Sequence, residues 1–292
     1  MPAHPRIRLD QLLVERGLAP SRAVAQRMLV AGEVDVVGLG TRTLKPGQLV
    51  APDVDVTVAP RPRWASRAGE KLEAALDAFE VDPAGHVCLD AGASTGGFTD
   101  VLLARGARIV YAVDVGRGQL LDRLQRDPRV VSMERTNLRE LRTLPEPAAL
   151  ATLDLSFISL RLVLPAVSAL LSGDGKVVAL VKPQFEAGKE AVPRGGVIRD
   201  PAVHRAVLER FAVDARAAGL PVRELIASPL TGADGNREFL ALLTRDGGLG
   251  EEALRSTIDG LTAPEPEPAY YDAPHDEEAD RPTADGAAQR RL

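Results

Sequence analysis

The fold is decided by the stretch Val87-Cys88-Leu89-Asp90-Ala91-Gly92-Ala93-Ser94-Thr95-Gly96-Gly97-Phe98. An apolar strand ends in an acid, a turn of small residues follows, and a helix begins near Phe98. In an open, mostly parallel α/β sheet this order presents the carboxyl end of the first strand to a nucleotide-like ligand. The sequence therefore predicts a Rossmann-like domain with a ligand site at this turn.

The turn departs from a dinucleotide fingerprint. In the pattern G-x-G-x-x-G the second glycine lets the backbone approach a pyrophosphate, and here Ser94 occupies that position. A ligand with an adenosine and no phosphates fits better, so we predict binding of S-adenosyl-L-methionine (AdoMet), with another nucleotide as the alternative. Amides at a helix N-terminus would hold its carboxylate. The predicted contacts at the turn are Asp90, Gly92, Ser94, Thr95, Gly96, Gly97 and Phe98.

Strand and helix patterns alternate from residue 66 to residue 246, which is typical of a seven-stranded, mostly parallel sheet with helices on both faces. The predicted strands are Val87–Asp90, Ile109–Asp114, Val130–Met133, Ala151–Leu155, Val177–Lys182, Val222–Ile226 and Phe239–Leu243. The predicted helices include Lys71–Phe79, Phe98–Arg105, Leu160–Leu171 and Ala202–Ala218.

Two further polar positions follow predicted strands. Asp114 ends the second strand, where a carboxylate would accept hydrogen bonds from both ribose hydroxyls of the cofactor. Thr136 and Asn137 follow the third strand, where a polar edge would meet an adenine. Both positions extend the predicted AdoMet site along the edge of the sheet.

Four charged residues form a second set of candidates. Asp154 and Lys182 end the fourth and fifth strands, Glu238 precedes the last strand, and Lys71 lies in the first helix of the domain. The ends of the strands are where α/β proteins bind ligands, so charged residues at these positions are candidates for a ligand site. Each of these charges alone is also typical of a structural ion pair. If the four converge, a Lys182 with a lowered pKa would take a proton from a ribose hydroxyl. Lys71 would stabilise the developing alkoxide, and the carboxylates would orient both amines.

The first 60 residues are predicted to be a separate module. Residues 6–60 show two amphipathic helices, one stopped at Gly17 and one that begins after Ser21 and stops at Gly32. Strands are predicted at Val34–Val36 and from Leu49 to Val58. Residues 61–65 are a linker whose prolines favour an extended backbone.

Charge is unevenly distributed along the chain. The net charge is −5, but residues 1–71 contain 11 Lys and Arg against 7 Asp and Glu, whereas residues 250–292 contain 4 against 11. A basic front is typical of a nucleic-acid binder. The candidate phosphate contacts are Arg8, Arg16, Arg22, Arg27, Arg61, Arg63 and Arg67. Chance asymmetry of charge is the alternative. Aromatic residues make up 3% of the chain, which favours recognition of the shape and backbone of a structured nucleic acid over base stacking, with the target nucleotide flipped out. Residues 262–292 are predicted to be an acidic, disordered tail.

Composition also limits the compartment. No apolar run is long enough to cross a bilayer, and the first residues do not form a secretory signal. The single cysteine, Cys88, lies in a predicted strand and cannot form an internal disulfide. We therefore expect a cytoplasmic protein with no membrane partner and no metal.

Several motifs together resemble the TlyA family of RNA 2′-O-methyltransferases, also known as hemolysin A-like proteins. The resemblance covers about residues 6–245. It is carried by R-L-D-x-L-L-x-x-R-G-L-x-x-S-R from Arg8, R-x-W-x-S-R-A-G-E-K-L from Arg61, C-L-D-A-G-A-S-T-G-G-F-T, the D-V-G-x-G-Q-L run at Asp114, D-L-S-F-I-S, L-V-K-P-Q-F-E and S-P-L-x-G-x-x-G-N-x-E.

The resemblance implies an FtsJ-type catalytic domain over residues 66–246, with a K-D-K-E tetrad at Lys71, Asp154, Lys182 and Glu238. It also implies that the front module is an RNA-binding domain like that of ribosomal protein S4. The implied activity is AdoMet-dependent methylation of cytidine ribose in the RNA of one or both ribosomal subunits, with an effect on sensitivity to capreomycin-type antibiotics. It implies no oligomeric state. The alternatives are a non-catalytic RNA-binding or ribosome-assembly factor, and a hemolysin.

Overall fold

The computed structural model describes residues 6–30, 34–37, 44–58, 63–232 and 235–263. The predictions for Arg61, for the side chain of Arg27 and for tail residues 264–292 lie outside the described residues. The described residues form two folded parts, one within residues 6–58 and a larger one within residues 63–263.

The described residues between 6 and 58 form two helices and two small antiparallel sheets. The helices are α1 (Leu9–Glu15) and α2 (Arg22–Val30). Strand β1 (Ile7–Arg8) pairs with β3 (Leu49–Val50), and β2 (Val34–Val36) pairs with β4 (Val56–Val58). The predicted strand region from Leu49 to Val58 contains two short strands, because the chain turns between β3 and β4, where the Val54 amide donates to the Ala51 carbonyl at 3.1 Å. Pro52 and Asp53 favour that turn.

The larger part is a seven-stranded sheet. Its strands are β5 (Val87–Ala91), β6 (Ile109–Val113), β7 (Val130–Met133), β8 (Ala148–Leu153), β9 (Leu171–Val181), β10 (Val222–Ala227) and β11 (Phe239–Thr244). Their order across the sheet is β10-β11-β9-β8-β5-β6-β7. Pairings from β7 through β9 are parallel, and β11 is antiparallel to both of its neighbours. The predicted fold class, a mostly parallel sheet, is confirmed.

Helices cover both faces of this sheet. They are α3 (Ala68–Ala78), α4 (Gly97–Ala104), α5 (Asp122–Gln125), α6 (Leu164–Leu170), α7 (Pro183–Glu186), α8 (Pro201–Ala217) and α9 (Glu251–Thr262). Side chains of β9 alternate between two cores: Val177, Ala179 and Val181 pack with α6, α8 and α9, whereas Val178 and Leu180 pack with α3 and α4. This alternation is expected of a strand that is buried on both faces.

Two helix predictions need correction. The predicted helix Leu160–Leu171 is a 3₁₀ turn (Leu160–Leu162) followed by α6, in which Pro165 occupies the first turn, where a missing amide costs no hydrogen bond. The sequence analysis predicts no helix after residue 246, but α9 extends from Glu251 to Thr262, buries Ile258 in the core and ends at the first residue of the predicted tail.

The topology defines the ligand-binding edge. Strand β5 lies in the middle of the sheet, and the chain continues to β6 on one side and returns to β8 on the other. At such a switch point the loops at the carboxyl ends of neighbouring strands diverge and leave a crevice. The glycine-rich turn after β5 lies at this point.

Candidate active site

A cavity of about 470 Å³ opens at the carboxyl edge of the sheet. Gly92 and Ser94 contribute the turn after β5, Asp114 follows β6, Asn137 follows β7, and residues 154–158 form the wall after β8. This volume lies within the range of small-molecule and cofactor sites. Of the predicted cofactor contacts, Gly92, Ser94, Asp114, Asn137 and Asp154 line the cavity.

Gly92 allows two strand ends to come close together. Its φ is +86°, and a Cβ at this position would collide with the backbone oxygen of Asp154. Ser94 also has a positive φ, +46°, and its amide donates to Asp114 Oδ2 at 2.8 Å. The turn therefore joins the ends of β5, β6 and β8 into one surface.

The other predicted residues of the turn do not line the cavity. A Cβ at Gly96 would collide with Leu124, and one at Gly97 would collide with Ser66 Oγ. The Thr95 carbonyl accepts from the Leu121 amide at 3.3 Å, and the Phe98 ring is buried in the core. These four residues pack the turn against its neighbouring helices, and their role as cofactor contacts stays a prediction.

Asp90 is also placed away from the cavity. Its side chain is fully buried and accepts hydrogen bonds from Thr99 Oγ1 at 2.6 Å and Thr152 Oγ1 at 3.3 Å. Burial disfavours the charged carboxylate and raises the pKa of Asp90 from 3.8 to about 7. Asp90 therefore connects β5 to α4 and β8 and does not contact the ligand site.

Asp114 is oriented by two backbone amides. In addition to the Ser94 amide, the Gly116 amide donates to Oδ1 at 2.6 Å. A carboxylate has about four lone-pair positions, so both oxygens can still accept from ligand hydroxyls. Asn137 differs, because its amide group donates to Glu140 at 2.8 Å and its Oδ1 accepts from the Arg139 amide at 3.2 Å. Asn137 thus contributes mainly surface to the cavity.

The four charged candidates form two ion pairs. Lys182 Nζ lies 2.7 Å from Asp154 Oδ1 and 3.1 Å from Ser156 Oγ, at the cavity wall. Lys71 Nζ lies 2.5 Å from Glu238 Oε2, and the Glu238 side chain is 3% exposed. Such pairs are costly to desolvate, and the pair whose Asp154 lines the cavity is a candidate for a role beyond stability.

Both pairs lie at the same edge of the sheet. Phe239 is the register partner of Val181, so Glu238 and Lys182 are the next positions on neighbouring strands. The Asp154 amide donates to the Ala91 carbonyl at 3.0 Å, which holds Asp154 beside the glycine-rich turn. Lys71 reaches this edge from α3.

The predicted RNA-contacting arginines are already partly engaged. Arg8 and Arg22 both contact the buried carboxylate of Asp10, at 2.9 and 3.3 Å, and the hydrogen bond from Arg8 holds the pKa of Asp10 well below its usual range. Arg16 donates to the carbonyls of Pro52 and Val54, and so ties α1 to the β3–β4 turn.

Arg63 and Arg67 lie at the start of the larger part, just before α3. Arg63 pairs with Glu73 at 2.9 Å and lies over the Trp64 ring, whereas Arg67 is exposed at the start of α3. Trp64 is buried against Gly69 of α3, so the ring is a packing element of the larger part.

Sequence reasoning missed several residues at the cavity, among them two polar residues and one exposed aromatic residue. Gln119 and Ser156 line it, and the ring of Phe157, which is 91% exposed, stands at its edge. Phe157 has φ +62°, and its ring centroid is 5.1 Å from that of Phe185. The signal was present, since Ser156 and Phe157 lie two and three residues after Asp154, the charged residue at a strand end.

The fold and the cavity are those of a cofactor-binding α/β methyltransferase. Residues 64–245 match the model of the family described as FtsJ-like methyltransferase. The chain is 49% identical over 240 residues to "Putative rRNA methyltransferase YqxC" of Bacillus subtilis, and the matched region covers 80% of this chain and 84% of the relative. It is 46% identical over 261 residues to "16S/23S rRNA (cytidine-2'-O)-methyltransferase TlyA" of Mycobacterium tuberculosis, and the matched region covers 87% of this chain and 96% of the relative.

A solved structure agrees with these sequence relatives. "Putative hemolysin from Streptococcus thermophilus" superposes with a TM-score of 0.68 at 41% identity, and the match covers 89% of this chain and 96% of that one. The chain belongs to the FtsJ-like methyltransferase family and, within it, to the TlyA family of rRNA methyltransferases.

FtsJ-like methyltransferases take their methyl group from AdoMet, and the cavity fits that cofactor. Asp114 presents an oriented carboxylate where a ribose would lie, and Gly92 and Ser94 keep the turn small beside it. Within the described ranges, no helix has the length and apolar character to cross a membrane.

Proposed function

We propose that this protein transfers the methyl group of AdoMet to the ribose 2′-hydroxyl of a cytidine in ribosomal RNA, and that it acts on ribosomal subunits in the cytoplasm. The observation that carries the proposal is the Lys182–Asp154 pair, in which Lys182 Nζ lies 2.7 Å from Oδ1 of Asp154, a residue that lines the cavity. The names of the relatives from Bacillus subtilis and Mycobacterium tuberculosis support rRNA as the substrate, and the latter name supports the 2′-oxygen of cytidine.

AdoMet supplies an electrophilic methyl group on a sulfonium. Lys182 Nζ, entering the step as a neutral amine, would take the proton that leaves the 2′-hydroxyl as that oxygen accepts the methyl group and the sulfonium leaves as a thioether, and would then release the proton to water. Asp154 and Ser156 orient Nζ through contacts of 2.7 and 3.1 Å. Lys71, held by Glu238, supplies positive charge beside the developing alkoxide.

RNA binding is proposed to combine the basic front module with the exposed aromatic edge of the cavity. Arg8 and Arg22, both oriented by Asp10, would contact phosphates. A single base must leave its stack for the ribose to reach the cavity, and the exposed Phe157 ring offers a surface on which an unstacked base can rest.

The test is to incubate purified protein with methyl-labelled AdoMet and ribosomal subunits that lack ribose methylation, and then to map the labelled nucleotides. We expect label on the 2′-oxygen of one or a few cytidines. Label on a base nitrogen or carbon would contradict the reaction type. RNA binding without any transfer would support the assembly-factor alternative.

A further inference from the structure

Two chain segments meet beside the Lys182–Asp154 pair. One is the segment from Asp154 to Leu160, whose residues Leu155 to Ile158 line the cavity. The other is Lys182 followed by α7, which ends at Glu186. The segments touch at both ends and in the middle, so the wall of the cavity depends on how they are joined.

At the end farther from the Lys182–Asp154 pair, Glu186 joins the two segments. Ser159 Oγ donates to Glu186 Oε2 at 2.6 Å, and the Leu160 amide donates to Oε1 at 2.8 Å. The near end is held by Lys182, and in the middle the Phe157 and Phe185 rings lie 5.1 Å apart. Both oxygens of the Glu186 carboxylate are therefore used on the segment that forms the wall.

The wall between these two ends is not in a relaxed conformation. Phe157 has φ +62°, which is unfavourable for an aromatic residue and persists only where the surroundings impose it. Glu186 is itself partly buried, and that burial raises the pKa of its carboxyl group. The two hydrogen bonds that the Glu186 carboxylate accepts offset the cost of its partial burial.

We propose that Glu186 is a positioning residue that fixes the Leu155–Ile158 wall of the cavity and thereby sets both cofactor affinity and the placement of Ser156 beside Lys182. The part of this inference that concerns AdoMet and methylation rests on the proposed function. The part that concerns the wall itself does not.

The experiment compares Glu186→Ala, Glu186→Gln and a matched control, Glu190→Ala, which removes an exposed carboxylate four residues away. A glutamine can still accept from the Leu160 amide and can donate to Ser159 Oγ, so it preserves the join. We expect Glu186→Ala to weaken AdoMet binding by about tenfold in calorimetry, and to speed hydrogen exchange in peptides that cover residues 155–162. Glu186→Gln is expected to stay within about threefold of wild type, and Glu190→Ala to match it.

Unchanged exchange and unchanged AdoMet affinity in Glu186→Ala would overturn the inference, as would an equal loss in Glu186→Gln. If Glu186→Ala does not fold, Ser159→Ala removes one of the two hydrogen bonds and should show the same effects at smaller size; wild-type behaviour of that variant would count against the inference. Wild-type protein that binds no AdoMet would instead contradict the proposed function, and the exchange measurement would still test the wall.

Discussion

At the scale of single residues, the site separates charges that face the cavity from those that face the core. Asp90 and Asp154 both lie near the ends of neighbouring parallel strands. Asp90 lies one residue before the end of β5 and points into the sheet, where two threonine hydroxyls hold it. Asp154 follows the end of β8 and pairs with Lys182. The sequence pattern predicts an acid at each strand end, but it cannot show which face of the last residues is buried, because both faces of this sheet are apolar.

The raised pKa of Asp90 predicts a pH dependence of stability. The unfolded carboxyl titrates near 3.8 and the folded one near 7, so between these values the folded state holds a proton that the unfolded state has lost. The free energy of unfolding should therefore fall with rising pH, by up to ~1.4 kcal/mol per pH unit from this group, and the loss should level off above pH 7. Denaturant unfolding at pH 4 to 8 measures this slope in wild type. Asp90→Asn should lack this component, whereas the exposed control Asp82→Asn should keep it. Parallel pH curves for Asp90→Asn and wild type would contradict the account.

At the scale of helices and strands, apolar runs predicted the core of the sheet well. Predicted and observed strands agree closely from β5 to β7, and the extension of β9 back to Leu171 was missed because Ser172, Gly173 and Asp174 interrupt its apolar pattern. Helix α9 was missed because its composition is polar. Its apolar residues Leu254, Ile258 and Leu261 nevertheless follow the spacing of one helix face, and that spacing was the available signal.

Packing of α9 gives a prediction at this scale. Ile258 is 1% exposed and belongs to the core cluster shared with α8. Ile258→Ala should lower the free energy of unfolding by about 2–4 kcal/mol, since it removes buried methyl groups and leaves a cavity. The matched control is Ser256→Ala, an exposed position on the same helix. Equal stability of Ile258→Ala and wild type in denaturant unfolding would show that α9 is not part of the folded core.

At the scale of the whole molecule, the distribution of charge predicts that the front module binds RNA and that the larger part binds the cofactor. In the basic front module, Arg8 and Arg22 both contact the buried carboxylate of Asp10, and the larger part contains the cavity. RNA affinity should fall steeply with salt, and Arg8→Ala should reduce the slope of log affinity against log salt by about 1. The control is Arg210→Ala, an exposed arginine on α8 that pairs with Asp214. Filter binding to ribosomal RNA at several salt concentrations measures both slopes, and an Arg8→Ala slope equal to wild type would remove Arg8 from the interface.

In the proposed reaction, Lys182, oriented by Asp154, receives the proton of the reacting hydroxyl. Single-turnover methylation of ribosomal subunits by Lys182→Ala, with AdoMet and RNA affinities measured in parallel, tests it most directly. The control is Lys176→Ala, at an exposed position toward the other end of β9. We predict a loss of roughly 10²–10⁴ in the transfer rate for Lys182→Ala, with both affinities within a few-fold of wild type. A transfer rate close to that of the Lys176→Ala control would contradict the account.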